Sequence, residues 1–237
     1  MNKPKLNIDK YFLDKTITQV VGSNYSNKHR IIALLLLKKV LYTKCKVLYI
    51  DTTLSCPISY IQSAIDKICY DKEAKSVKSV LENAFMLIRF PSLNEVSAFF
   101  EYQLERLLLS EQNKIKTIVI DNMNIVFQNA NTIKKGRQAF RDVFTLSKKY
   151  NINIIYINEL FYTYSQSGFN LEITYGDIVN EFCSSILYIG DSYKDEKKRD
   201  VLISKINVLK SNTVPLETCM IYIDLNTFSF VVKSRNC

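Results

Sequence analysis

Short runs of β-branched and apolar residues alternate with longer stretches of helical period along most of the chain. The runs predict strands at Ile17–Val21, Val47–Asp51, Phe85–Phe90, Thr117–Asp121, Asn153–Asn158 and Ile186–Ile189. Several are apolar almost throughout, the pattern of a parallel sheet covered on both faces. Between them, Lys28–Leu41 is apolar nearly all round, which predicts a buried helix. Ser92 and Glu95 form a capping box for a helix running to about Ser110, with Val96, Phe99, Phe100, Leu104, Leu107 and Leu108 at helical spacing. A third helix is expected over Ile133–Tyr150, with Phe140, Val143 and Phe144 facing inward. This alternation predicts an α/β layered fold. Beyond Ile186 the helical pattern stops. Val201–Leu209, Met220–Asp224 and Phe228–Val232 are expected to add an antiparallel edge, and "DSYKDEKKRD" reads as a solvated turn. There is no internal repeat. Residues 1–16 are read as a short N-terminal extension and residues 17–237 as one domain.

Composition narrows the class. A chain of 237 residues with 47% hydrophobic residues can bury a full core, and 5 Gly and 4 Pro argue against disorder. The longest apolar run, Ile31–Leu37, is too short to span a membrane. The charge of +9, from 32 Lys+Arg against 23 Asp+Glu, favours polyanionic partners, nucleic acid first; a generally Lys-rich surface is the alternative. The cysteines (Cys45, Cys56, Cys69, Cys183, Cys219 and Cys237) form no C-x-x-C pair, and His29 is the single histidine, so zinc and multi-histidine sites are not expected. Residues 1–16 are too charged for a signal peptide, which predicts reduced thiols in an intracellular protein.

The chemistry concentrates in "VVGSNYSNKHR". A phosphate-binding loop reads G-x-x-x-x-G-K-[ST]. Gly22 and Lys28 match, Asn27 stands at the second glycine and His29 at the hydroxyl. The stretch lies after a predicted strand and before a predicted helix, where backbone N–H groups face an anion. Ser26 lies within it. Asn27 is a tolerable substitute because Asn enters the left-handed region readily. His29 is a poor replacement for an oxygen ligand of Mg²⁺. "KTIVIDN" ends a strand at Asp121, like a Walker B aspartate that orients Mg²⁺.

In their order and spacing, "ITQVVGSNYSNKHRIIALLLL", "VLYIDTT", "IKTIVIDNMNIVF" and "NINIIYINEL" resemble the core of RecA-like strand-exchange recombinases. The resemblance runs from about Ile17 to Val232 and is closer to the eukaryotic recombinase paralogues than to the recombinase itself. The segment "ILYIG…RDVLISKINVLKSNTVP" is similar to a paralogue's C-terminal strands, whereas the family's helix-rich N-terminal domain has no counterpart in residues 1–16. It implies a RecA-like P-loop core, with a mostly parallel central sheet, helices on both faces and an antiparallel C-terminal edge. It also implies a nucleotide site of Gly22, Ser26, Asn27, Lys28, His29, Asp121 and the sensor-strand Asn158. Thr53 falls where the family carries its catalytic glutamate, and a threonine cannot act as a carboxylate base. The expectation is weak or no ATP hydrolysis. ATP binding is left open, and Mg²⁺ is disfavoured.

The same resemblance places DNA-facing loops at about Phe127–Arg137 and Glu159–Asp177. Lys134, Lys135, Arg137 and Arg141 surround the first; Lys134, Arg137, Arg141 and Lys148 share a helical stripe able to neutralise phosphates without reading sequence. An ordinary solvated helix face is the alternative. Phe161, Tyr162, Tyr164 and Phe169 in the second loop suit stacking on unpaired bases, or burial against a partner subunit. The family implies a nuclear accessory factor of homologous-recombination DNA repair. It would assemble with other paralogues and the recombinase on single-stranded DNA. An active DNA-dependent ATPase of this fold, and a P-loop regulator without DNA binding, are the alternatives.

Overall fold

The apolar runs become strands whose side chains alternate between two hydrophobic layers. The computed structural model describes residues 16–68, 79, 82–90, 92–111, 114–122, 130–165, 168–173, 180–198, 200–211, 218–226 and 230–234. Chain order is β1 (Ile17–Gly22), α1 (Lys28–Thr43), β2 (Lys46–Asp51), α2 (Ile58–Ile68), β3 (Phe85–Arg89) and α3 (Leu93–Ala98). A π-helical turn (Phe99–Gln103) leads into α4 (Leu104–Ser110), followed by β4 (Ile115–Asp121), α5 (Ala130–Tyr150), β5 (Asn153–Ser165) and β6 (Gly168–Ile173). The remainder is β7 (Ser185–Ile189), β8 (Tyr193–Lys194), β9 (Val201–Ser211), β10 (Thr218–Asp224) and β11 (Phe230–Ser234).

The main sheet runs β11-β10-β9-β7-β1-β5-β4-β2-β3, with β8 on β9 and β6 on β5. Strands β3, β2, β4, β5, β1 and β7 are mutually parallel, and β9, β10 and β11 continue the sheet antiparallel. The fold is therefore α/β with a mostly parallel mixed sheet and an antiparallel C-terminal edge. One layer packs Val20, Val47, Tyr49, Val119, Ile155 and Ile157 under α1 and α2. The other packs Val21, Leu48, Ile50, Ile118, Ile120 and Tyr156 against α3, α4 and α5. Ile31–Leu37 is buried on every side, because α1 touches both the sheet and α2. In the second layer Phe140 of α5 packs against Tyr156, with ring centroids 4.6 Å apart and the ring planes tilted by 50°. Truncating a core residue of this kind costs about 3–5 kcal/mol.

Several expectations are corrected. Helix α2 is an addition to the elements foreseen, although Ile58, Ile61 and Ile65 carry its period. The helix expected from Ser92 to Ser110 does start at Ser92, whose Oγ accepts the Glu95 N–H, but it is broken by the π-helical turn. Glu159–Asp177 is not simply a loop. Leu160–Ser165 of β5 pairs antiparallel with Gly168–Ile173, since aromatic and β-branched residues favour a ladder over an open loop. Within Phe127–Arg137, residues from Ala130 onward are the first turns of α5. Residues 1–15, 127–129 and 174–177, and the side chains of Lys135, Phe161, Tyr162, Tyr164 and Phe169, lie outside the described residues.

Parallel register is what positions the candidate site. Gly22 lies beside Glu159, Val21 beside Asn158, Asp121 beside Ile157 and Asp51 beside Asp121. The C-terminal ends of β1, β5, β4 and β2 thus form one rim, the side from which open α/β sheets bind ligands.

Candidate functional site

The segment between β1 and α1 is a tight turn held from both sides. A Cβ on Gly22 would lie 2.6 Å from the Ile189 carbonyl oxygen and 2.6 Å from Ser26 Oγ, so only glycine fits. Ser23 Oγ accepts the Tyr25 N–H at 3.1 Å, and Ser26 Oγ donates to the Ser23 carbonyl at 2.7 Å. Residues Asn24–Ser26 make one 3₁₀ turn, and Asn27 sits in the left-handed region at φ 54°, ψ 25°, as expected from its side chain. The connector after β7 grips the turn. Ser192 N–H donates to the Tyr25 carbonyl at 3.0 Å, Ser192 Oγ donates to the Ser26 carbonyl at 2.7 Å, and Ser23 Oγ donates to Asp191. Asp191 and Ser192 were not foreseen, because only the folding of β7 beside β1 brings them there.

Helix α1 opens with Lys28, His29 and Arg30, has no acidic residue in its first turn and takes no side-chain cap from Asn27. Three basic side chains at the positive end of a helix dipole are an unfavourable start that a bound anion relieves. Lys28 is 1% exposed. Its ammonium donates to the Ser23 carbonyl at 3.2 Å. Burial lowers its pKa, and the carboxylates of Glu159 and Asp121 act the other way. The Arg30 guanidinium lies over the Tyr60 ring.

Asp121 is the hub. Its Oδ2 accepts from Tyr49 Oη at 2.6 Å, Ser55 Oγ at 2.8 Å and His29 Nδ1 at 2.9 Å. The last contact requires the imidazole proton on Nδ1, because an ionised carboxylate only accepts. Asp121 Oδ1 is buried and has no hydrogen-bond partner among the described residues. Burial, followed by the charge and hydrogen bond of Asp121, raises the Tyr49 phenol far above its ordinary range, so it stays a donor. Tyr49 and Ser55 escaped the sequence reading. The signal for Tyr49 was its place in "VLYIDTT", two residues before Asp51 on the same face of β2.

Asp51 does different work. Its Oδ1 accepts the N–H groups of Thr53 and Ser55 at 3.2 and 3.1 Å, and its Oδ2 accepts Cys56 N–H at 3.3 Å and faces Arg89 Nε at 3.4 Å. This carboxylate folds residues 52–56 over the rim and is fully buried. Thr53 is exposed at the mouth, and its hydroxyl meets Ser55 Oγ at 2.7 Å. Burial pushes the Cys56 thiol up to about 12, so it is no nucleophile.

The structure thus gathers Gly22, Ser26, Asn27, Lys28, His29 and Asp121 at one rim, with Asn158 beside Val21; Asn158 Oδ1 accepts the Glu159 N–H at 2.8 Å. Lys134, Arg137, Arg141 and Lys148 are all exposed on α5. Next to that stripe, α4, α5 and the π-helical turn enclose a groove of about 640 Å³ lined in part by Glu101, Glu105 and Asp142. Glu105 Oε1 accepts from Lys149 Nζ and Tyr150 Oη, each at 2.7 Å. The described residues contain no group of three or more His, Cys, Asp or Glu suited to a metal ion, and no helix among them is long and apolar enough to cross a membrane. Compared with protein-family models and with curated proteins, the chain has no match.

Proposed function

We propose that this chain is a recombinase-paralogue type accessory factor of homologous-recombination DNA repair in the nucleus. In this reading it assembles with other paralogues and the recombinase, and loads or holds recombinase filaments on single-stranded DNA. Its nucleotide site is degenerate and turns over ATP slowly or not at all. The observation that carries the reading is the meeting of Lys28, His29 and Asp121 at the C-terminal rim of a parallel sheet, with His29 bonded to Asp121.

A phosphate group suits the residues present. Lys28 supplies a buried ammonium, and the first turn of α1 carries no acid. ATP would supply the charged phosphates there, with Lys28 and the α1 N-terminus holding them. The parts for water activation are missing. Thr53 is a hydroxyl where a base is needed, and Asp51 and Asp121 spend their oxygens on inward bonds, apart from the closed Asp121 Oδ1. A site of this kind binds and signals occupancy better than it hydrolyses. The exposed basic stripe of α5 supports non-specific phosphate contact.

The test is to purify the chain with its co-eluting proteins and measure recombinase retained on single-stranded DNA after a salt challenge. The expected result is higher retention with the complex present and no ATP turnover above background. Rapid turnover that disappears on Lys28→Ala would point instead to a working DNA-dependent ATPase. Absence of DNA binding at any salt, alone or in complex, would point to a regulator.

A further inference from the structure

We infer that the phosphate-bearing ligand of this site is taken as the metal-free anion, with His29 occupying the place of the divalent cation. The inference rests on the nucleotide reading above and concerns what form of nucleotide fits. The residues present do not suit Mg²⁺. This hard ion needs octahedral oxygen ligation and keeps several waters. The side chain after Lys28 is an imidazole, and its Nδ1 is committed to Asp121 at 2.9 Å. Asp121 Oδ2 already accepts three donors, from His29, Tyr49 and Ser55. Oδ1, the remaining oxygen, is closed to solvent, so a hydrated ion has no route to it.

The same arrangement gives His29 a positive role. Asp121 holds the ring through Nδ1, so the imidazole takes the carboxylate contact that an ion would otherwise use. His29 Nε2 has no partner among the described residues, and the side chain is 21% exposed. Lys28, Arg30 and the helix dipole make a positive face there without a metal. A nucleotide chelated to Mg²⁺ would bring a second cation against that face and lose part of the attraction.

The probe is N-methylanthraniloyl-ATP followed by fluorescence anisotropy, with excess EDTA or excess Mg²⁺, on the chain in complex with its co-purified partners. Binding is expected to be tighter in EDTA, and Lys28→Ala is expected to abolish it. His29→Thr restores a hydroxyl and is expected to shift the preference toward Mg²⁺ by about tenfold, equivalent to about 1.4 kcal/mol. His29→Asn, which keeps a polar side chain of similar reach, should lose the EDTA preference while melting near the wild type. Binding that requires Mg²⁺ in the wild type overturns this inference and leaves the nucleotide reading standing. No binding under either condition overturns both.

Discussion

Gly22 and Ile189 pack so closely that the Ile189 carbonyl oxygen stands 2.6 Å from where a Cβ on residue 22 would be. The two residues are register partners on β1 and β7, both in the interior of the sheet. A backbone oxygen in a sheet ladder cannot move aside as a side chain can. Gly22→Ala should therefore destabilise the fold by about 1–3 kcal/mol through overpacking. It should also displace Ser26, which a Cβ would likewise meet at 2.6 Å. Urea denaturation reads the first effect, and anisotropy of the labelled nucleotide reads the second. A variant as stable as the wild type would contradict the packing argument.

Tyr49→Phe removes the phenol that donates to Asp121 Oδ2 at 2.6 Å inside the core. The carboxylate remains buried with one donor fewer. The expected loss is about 1–3 kcal/mol. Thermal and urea unfolding of the variant provide the measurement, with Tyr60→Phe, at a half-buried position outside the Asp121 hub, as the comparison.

Alkaline pH should weaken the fold. Burial pushes the thiols of Cys56 and Cys183 from an ordinary value of 9.0 up to about 12; the charges of Asp51 and Asp121 add to the first, and Lys210 opposes the second. A folded-state pKa above the unfolded one means the native state holds the proton longer. Its contribution to stability is complete below the unfolded value and is lost as pH rises through the folded one. Urea midpoints should fall from pH 9 upward, and Cys56→Ala with Cys183→Ala should flatten that fall even if it lowers the starting midpoint. An unchanged slope in the double variant would refute the assignment.

Replacing Lys134, Arg137 and Arg141 by glutamine should weaken single-stranded DNA binding by the complex without changing the fold, since all are exposed on α5. The salt slope should drop by about 0.7 for each phosphate contact removed. If the slope does not change, α5 is an ordinary solvated face.

How much of this was legible before folding follows from what kind of signal each feature carries. The strands of the parallel core and helices α1 and α5 were legible because burial on both faces leaves long apolar runs and clear helical periods. The fitness of Asn27 for a left-handed turn was legible because it is local. Helix α2 and the β5–β6 hairpin were missed because short apolar and aromatic stretches do not announce which element they will join. The roles of Ser55, Asp191 and Ser192 could not be read at all, since each acts on a residue distant in the chain.

The amino-acid order alone determined the layered α/β architecture, the turn after β1 and the absence of a hydroxyl after Lys28, because these depend on local pattern and side-chain chemistry. Only the tertiary structure decided that Asp51 holds a loop while Asp121 serves the site, although both are aspartates ending apolar strands. It likewise decided that His29 spends its Nδ1 on Asp121. The physical reason is that a carboxylate's role is set by the donors that reach it, and here those donors come from four separate segments brought to one rim by parallel strand register.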